Sequence, residues 1–397
     1  MVKAILNRSS WQFAGLALGK VFSVILFILL ARILQPDLFG QVALFVTVIQ
    51  LVTALANFGL KPWFQTRAHE LGQTTAFHFA FSARLLSWAI SVILTAVYLV
   101  LAQPFSLVVS IILLVILMPE GLTSFAESYW LLNKKSLRVG MKTPLFFVIV
   151  LIVWVVFAFS PSLTLLASAW LLASVATMLW FFPWKAVRRN ALSPFTIQTL
   201  KTLKQSSSYA LLTTTSLIYS RADQLIIQTI RGFSALGIYS AAYRMIDSLN
   251  LLPQAIAENV FPEAAQPGKI SLKHVLKIEL IITVLGGFVA LVLYVLAPFA
   301  VSLLLGAEYV AAIPLIRIFS IVIWLFFINA PMASVVQSSK LINKFLPFGI
   351  ANTVINVLLN ILLVPLFGLT AAAWTMVATE ATGLLINVYF LRRLYKS

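Results

Sequence analysis

Two hydrophobic stretches between Ser206 and Glu263, joined by a short turn from Arg231 to Ala235, carry charges where a charge is expensive: Arg221 and Asp223 in the first, Arg244, Asp247 and Glu258 in the second. A charge at the bilayer centre costs at least about 2.5–3.5 kcal/mol on insertion scales, so such groups face a polar interior and mark a pathway. The pattern points to a transporter, in which carboxylates at such depth can carry a coupling proton or cation. At a helical 100° per residue, Ser240, Tyr243, Arg244, Asp247, Asn250, Gln254 and Glu258 fall within about a third of the circumference. This is a polar stripe along an otherwise apolar helix. Arg244 and Asp247, at i and i+3, could simply neutralise each other, but a structural pair does not need seven polar residues. Pro253 lies within the stripe and should kink it, freeing a carbonyl that something polar must satisfy. On the first stretch Ser216, Tyr219, Ser220 and Asp223 share one face, while Thr214, Arg221, Gln224 and Gln228 share another about 140° away. One face lines a cavity and the other meets a neighbouring helix; the spacing leaves open which.

Other polar residues sit at membrane depth. Lys20 lies midway along the first apolar stretch, too deep to snorkel, and is expected to point into a central cavity. Arg84 is near the cytoplasmic end of its helix and is expected to snorkel. Glu127, after Pro119-Glu120-Gly121, lines the cavity or caps a break. Asn352, Asn356 and Asn360 recur every four residues and form a ladder suited to bonding between helices. Glu380 has no local partner; it could carry a coupling proton or sodium ion, as could Asp223 and Asp247, or bond to the asparagine ladder. The three histidines are scattered, there is no cysteine, and neither an HExxH nor a GxxxxGK[ST] motif occurs. The expectation is therefore no metal site, no cofactor, no ATP hydrolysis and no enzymatic activity.

These residues must be positioned by membrane-spanning helices. The chain has 397 residues, 61% hydrophobic and 10% charged, with mean hydropathy +1.01, far from the soluble range. A span needs about 20 apolar residues, which predicts twelve helices at 11–34, 40–60, 76–102, 105–132, 143–160, 162–183, 206–231, 236–262, 276–305, 312–337, 344–364 and 368–391. The predicted class is all-α and polytopic, with about 12 transmembrane helices in two six-helix bundles around a central cavity. The bundles are 1–183 and 206–397, joined by a basic cytoplasmic linker at 184–205.

Lysine and arginine gather in loops of one parity, such as Lys134, Lys135 and Arg138, or Lys185, Arg188 and Arg189, and in both tails. That places both termini in the cytoplasm. The net charge of +17 points to anionic lipid head groups as partners rather than nucleic acid. Opposite loops are only a few residues long, which disfavours a membrane glycosyltransferase or polymerase with acidic outer loops. No small-residue cleavage site follows the N-terminal tail, so no removable signal peptide is expected. Ile33 to Phe45 is faintly similar to Ile230 to Tyr243, with Phe39-Gly40 falling on Leu236-Gly237. That offset of about half the chain suits two related halves.

Four segments resemble one family in the right order: LARILQPDLFGQVALF with ANFGL, SRADQLIIQTIRGFSALGIYSAAYRMIDSLNLLPQAIAENVFPEAAQ, LLGAEYVAAIPLIRIFS, and NVLLNILLVPLFGLTAAAWTMVATEATG. They resemble the bacterial O-antigen (Wzx-type) flippases of the multidrug/oligosaccharidyl-lipid/polysaccharide exporter superfamily. The resemblance implies alternating access in the bacterial inner membrane, and an undecaprenyl-pyrophosphate-linked glycan as substrate. Lys20, Arg221 and Arg244 would then hold the pyrophosphate. Tyr219, Ser240, Tyr243, Asn250, Gln254, Glu258, Asn352, Asn356 and Asn360 would line the way for sugar. It also implies H+ or Na+ as a coupling ion and polysaccharide polymerase machinery as a partner. The other reading is a cation-coupled small-molecule exporter of the same superfamily.

Overall fold

The computed structural model describes residues 2–156, 162–189, 197–250, 252–254, 257 and 272–396. Among these residues the secondary structure is helical throughout, without strands. The helices are α1 (Val2–Ile33), α2 (Pro36–Asn57), α3 (Leu60–Leu71), α4 (Gln73–Ala102), α5 (Leu107–Leu132), α6 (Ser136–Val156), α7 (Leu163–Phe181), α8 (Trp184–Arg189), α9 (Ile197–Leu249), α10 (Leu272–Ala300), α11 (Ala312–Gln337), α12 (Ile342–Phe367) and α13 (Leu369–Lys396). Nine spans among the described residues are long and apolar enough to cross a membrane. Many of their large apolar side chains are exposed, Leu101, Ile281 and Leu362 among them, as lipid-facing side chains must be. The chain is an all-α polytopic membrane protein.

The chain forms two compact units. The first comprises Met1–Leu26 and Leu44–Ile218; the second comprises Phe27–Ala43 and Tyr219–Ser397. Helices of the first unit enclose an aromatic core that includes Trp63, Phe64, Phe77, Phe81, Phe125 and Phe181. Phe77 and Phe81 stack at 5.8 Å, and Phe64 meets Phe77 edge-on at 5.9 Å, the geometry that aromatic quadrupoles favour.

In the second unit, Ile282, Ile323, Phe327, Val335 and Leu391 form an apolar core from α10, α11 and α13. The Phe27–Ala43 segment is fastened to this unit by polar contacts as well. Arg32 Nη1 donates to the Leu303 carbonyl at 2.7 Å, and Tyr309 donates to the Leu34 carbonyl at 3.2 Å. Phe39 packs edge-on against Tyr309, centroids 6.1 Å apart. Burial, reinforced by neighbouring Glu308, pushes the Tyr309 phenol above its ordinary pKa and keeps it a donor.

Helix α9 is interrupted at Gly232, with φ 82° and ψ −176°. That conformation is open to glycine and strained for other residues. The sequence suggests a five-residue turn at 231–235, but helical geometry resumes directly after Gly232. The limb after it runs to Leu249, and the backbone bond from the Gln254 amide to the Asn250 carbonyl, 3.3 Å, continues the helical pattern toward Pro253.

Candidate functional site

The break at Gly232 folds α9 back on itself. Tyr239, after the break, donates to Asp223 before it, and the Arg221 guanidinium lies 5.7 Å from the centroid of the Tyr243 ring. Both pairs are centred near Gly232, as an antiparallel helical hairpin requires. The face question left open by sequence is thereby answered for contacts: Arg221 and Asp223 both meet the returning limb.

Arg221 is 9% exposed, and its Nε has no hydrogen-bond partner. Asp223 is 5% exposed and accepts from Tyr239 and from the Gln224 amide at 2.8 Å. Arg244 stacks on Phe27, 3.8 Å from the ring centroid, while Asp247 Oδ2 stays 3.9 Å from its Nη1. A separation of 3.9 Å is an ion pair without a good hydrogen bond. Arg221 and Arg244 are also close enough to repel each other. Tyr243 stacks on Tyr239 at 6.3 Å and meets Phe319 edge-on. Ser240 is buried with its hydroxyl unpartnered. Asn250 is half-buried and Gln254 exposed. Glu258 lies outside the described residues, and Lys20 is half-buried in the α1 portion of the first unit.

Tyr219 turns to α13 instead. Its hydroxyl donates to Glu380 Oε1 at 2.6 Å and lies 3.0 Å from Thr379 Oγ1. Asn329 Nδ2 donates to Glu380 Oε2 at 2.8 Å, and Asn387 orients Asn329 through a 3.1 Å bond. The asparagine ladder reaches the neighbouring residue: Asn352 donates to the Thr379 carbonyl and Asn356 to its hydroxyl, each at 3.0 Å. Asn360 donates to the Asn356 carbonyl at 2.9 Å. Glu380 is 8% exposed and, among the described residues, forms no ion pair. A carboxylate held this way can take up a proton without losing its partners. An added proton can be donated to the Tyr219 oxygen if the phenol's own hydrogen turns to Thr379.

In the first unit, Glu127 bridges Lys61 of α3 and Lys142 of α6. Sequence spacing suggests neither partner, because both lysines read as loop charges. Arg84 corrects its expectation. It is 1% exposed, donates to the Gly121 carbonyl at 3.1 Å and leaves Nη1 unpartnered, so it does not snorkel. Depth along a helix does not reveal whether a side chain faces lipid or protein. No grouping of three or more metal-ligating side chains occurs among the described residues.

Comparison with known proteins agrees with this architecture. The sequence matches the family described as polysaccharide biosynthesis protein over residues 29–314. No curated protein sequence matches it significantly. Among solved structures, an inward-facing multidrug resistance MATE family transporter of the MOP superfamily superposes with TM-score 0.76 at 16% identity, covering 96% of each chain. Lipid II flippase MurJ, in an inward closed conformation, gives TM-score 0.77 at 12% identity over 98% of this chain and 87% of that one. A MOP superfamily transporter from Pyrococcus furiosus gives 0.61 at 15%, covering 100% and 97%. With charged side chains set into a transporter fold and a family match over most of its length, this chain belongs to the polysaccharide biosynthesis protein family.

Proposed function

We propose that the protein is a flippase that carries an undecaprenyl-pyrophosphate-linked oligosaccharide, an O-antigen or exopolysaccharide repeat unit, across the bacterial cytoplasmic membrane by alternating access. The observation that carries this reading is the pair of arginines on the α9 hairpin, Arg221 buried and Arg244 half-buried. Arg221 has an unpartnered Nε, Arg244 has a loose partner, and the nearest firmly held carboxylate, Asp223, is occupied by Tyr239. A pyrophosphate supplies the oxyanions that two such guanidiniums lack. Lys20 is assigned the same chemistry, and the polar side chains of α9 and α12 serve the sugars. The family's role in polysaccharide biosynthesis and the fold shared with a flippase named for lipid II support this reading. The two-bundle division at 184–205, both termini in the cytoplasm and delivery to a polymerase belong to the same proposal. Glu380, with its rotatable Tyr219 partner, is proposed as the seat of a coupling proton or sodium ion.

The test is complementation of a deletion strain with wild type, Arg221→Ala, Arg244→Ala and Arg244→Lys, with membrane levels measured by immunoblot. The alanine variants are expected at wild-type level with surface polysaccharide lost and lipid-linked units accumulating. Arg244→Lys is expected to retain part of the activity. Glu380 also favours a second reading, a cation-coupled small-molecule (multidrug) exporter of the same superfamily. Normal polysaccharide with heightened drug sensitivity in the deletion strain would select it.

A further inference from the structure

A second candidate site lies wholly within the first unit and contains no residue of the α9 hairpin. The first turns of α4 and α6, the last turns of α5 and α7, and α8 surround a pocket of 710 Å³. Its walls are aromatic, with Phe77, Tyr129, Trp130, Trp180, Phe182 and Trp184 among them. Its charges are Arg138 and Lys185, and no aspartate or glutamate lines it.

Arg138 is prepared for an anion. Its guanidinium carbon lies 4.1 Å from the centroid of the Trp130 ring and 5.1 Å from that of Trp180, two cation–π contacts that restrict the group. Nη2 is committed to the Trp180 carbonyl, and Nε has no partner. Gln73 Nε2, also in the wall, is likewise buried without a partner. Arg138 as a whole is half-buried, but an enclosed guanidinium N–H without a partner is costly, and an oxyanion would satisfy it.

The surroundings identify the source of that oxyanion. Leu137, Met141 and Leu179, on the same helix ends, expose 52%, 51% and 61% of their surface, which places acyl-chain contact beside the pocket. Tryptophan and tyrosine concentrate at head-group depth, and basic pockets between helix ends on the cytoplasmic side take anionic head groups. The lysine and arginine distribution puts this end of the first unit in the cytoplasm. We propose that the pocket binds the phosphate head group of an anionic phospholipid of the cytoplasmic leaflet. Arg138 supplies the bonds, Lys185 supplies long-range charge and the indole rings flank the glycerol region. The site shares no residue with those assigned to the transported substrate.

The experiment is native mass spectrometry of the full chain in detergent, titrated with phosphatidylglycerol, phosphatidylcholine or inorganic phosphate. Wild type is expected to retain one phosphatidylglycerol, with phosphatidylcholine at least tenfold weaker and no displacement by millimolar phosphate. Arg138→Gln is expected to weaken phosphatidylglycerol roughly tenfold, the scale of a lost charge-assisted contact, and Arg138→Lys less. Lys185 is exposed, so Lys185→Gln, expected to weaken binding severalfold, carries the test if Arg138→Gln does not fold. Lys344→Gln, on an exposed lysine of the second unit, should leave binding unchanged. Equal phosphatidylglycerol retention by wild type and both pocket variants would overturn the proposal. Displacement by inorganic phosphate alone would reassign the pocket to a soluble anion. Crosslinking of an acidic protein at Trp184 in membranes, without a lipid adduct, would reassign it to a protein partner.

Discussion

Gly40 of α2 and Gly237 of α9 pack reciprocally. A Cβ on Gly40 would strike the Phe233 carbonyl and crowd the Gly237 amide, and a Cβ on Gly237 would strike the Pro36 carbonyl and crowd the Gly40 amide. Each glycine thus faces the carbonyl four residues before the other, and the two are equivalent positions in the faint internal repeat. Small residues let membrane helices approach this closely. Gly40→Ala and Gly237→Ala are each expected to destabilise the protein by about 1–3 kcal/mol through overpacking. Gly349 provides the contrast, because a Cβ added there would meet nothing within 4 Å. Gly349→Ala should be neutral or stabilise by up to about 1 kcal/mol. Thermal unfolding in detergent reads all three.

One carboxylate serving two lysines makes a second prediction. Glu127 and its partners Lys61 and Lys142 have side chains 24%, 28% and 17% exposed, so solvent screens them only in part. Glu127→Gln leaves two ammonium groups facing each other and should cost about 1–3 kcal/mol. Adding Lys142→Met should recover part of that loss. The double-mutant cycle should therefore show a coupling of about 0.5–3 kcal/mol.

Transport by Glu380→Gln should lose its dependence on pH. The glutamine amide can donate to Tyr219 while its oxygen accepts from Asn329, which reproduces the protonated arrangement. The variant is expected to remain folded and to exchange substrate across proteoliposome membranes, but collapse of an imposed proton gradient should no longer slow it. An unchanged response to the gradient would remove Glu380 from the coupling role.

Glu279 offers a different carboxylate. It is 4% exposed, and neither oxygen has a hydrogen-bond partner. A lone buried carboxylate is a net cost, so Glu279→Gln should raise the unfolding temperature, whereas Glu380→Gln should not. A lower unfolding temperature for Glu279→Gln would overturn this reading.

The membrane-spanning helical class is legible in the sequence because hydropathy and span length directly reflect the bilayer as solvent. The polar character of the α9 stretch is legible for the same reason, since a buried charge stands out in an apolar run. Pairings across the sequence are not. Glu380 is a candidate for bonding to the asparagine ladder, yet its partners are Tyr219 and Asn329, which no local spacing connects. The ladder instead holds the adjacent Thr379. Arg84 departs from its expectation because distance from the membrane surface can be read from sequence and orientation around the helix cannot. The turn before α9 returns looks as though it needs five residues, but one glycine with positive φ suffices.

Phe27–Ala43 is made early and belongs with residues made late. Its partner at Phe233 leaves the ribosome roughly 190 residues after Ala43, about 10–40 s at 5–20 residues per second. Throughout that interval the helix against which Gly40 and the carbonyl of Pro36 finally rest has not been made. The newly inserted segment must wait in the membrane, so a quality-control protease has a defined window in which to recognise it. A slow stretch of translation between the two would lengthen that exposure without altering a single contact of the finished protein.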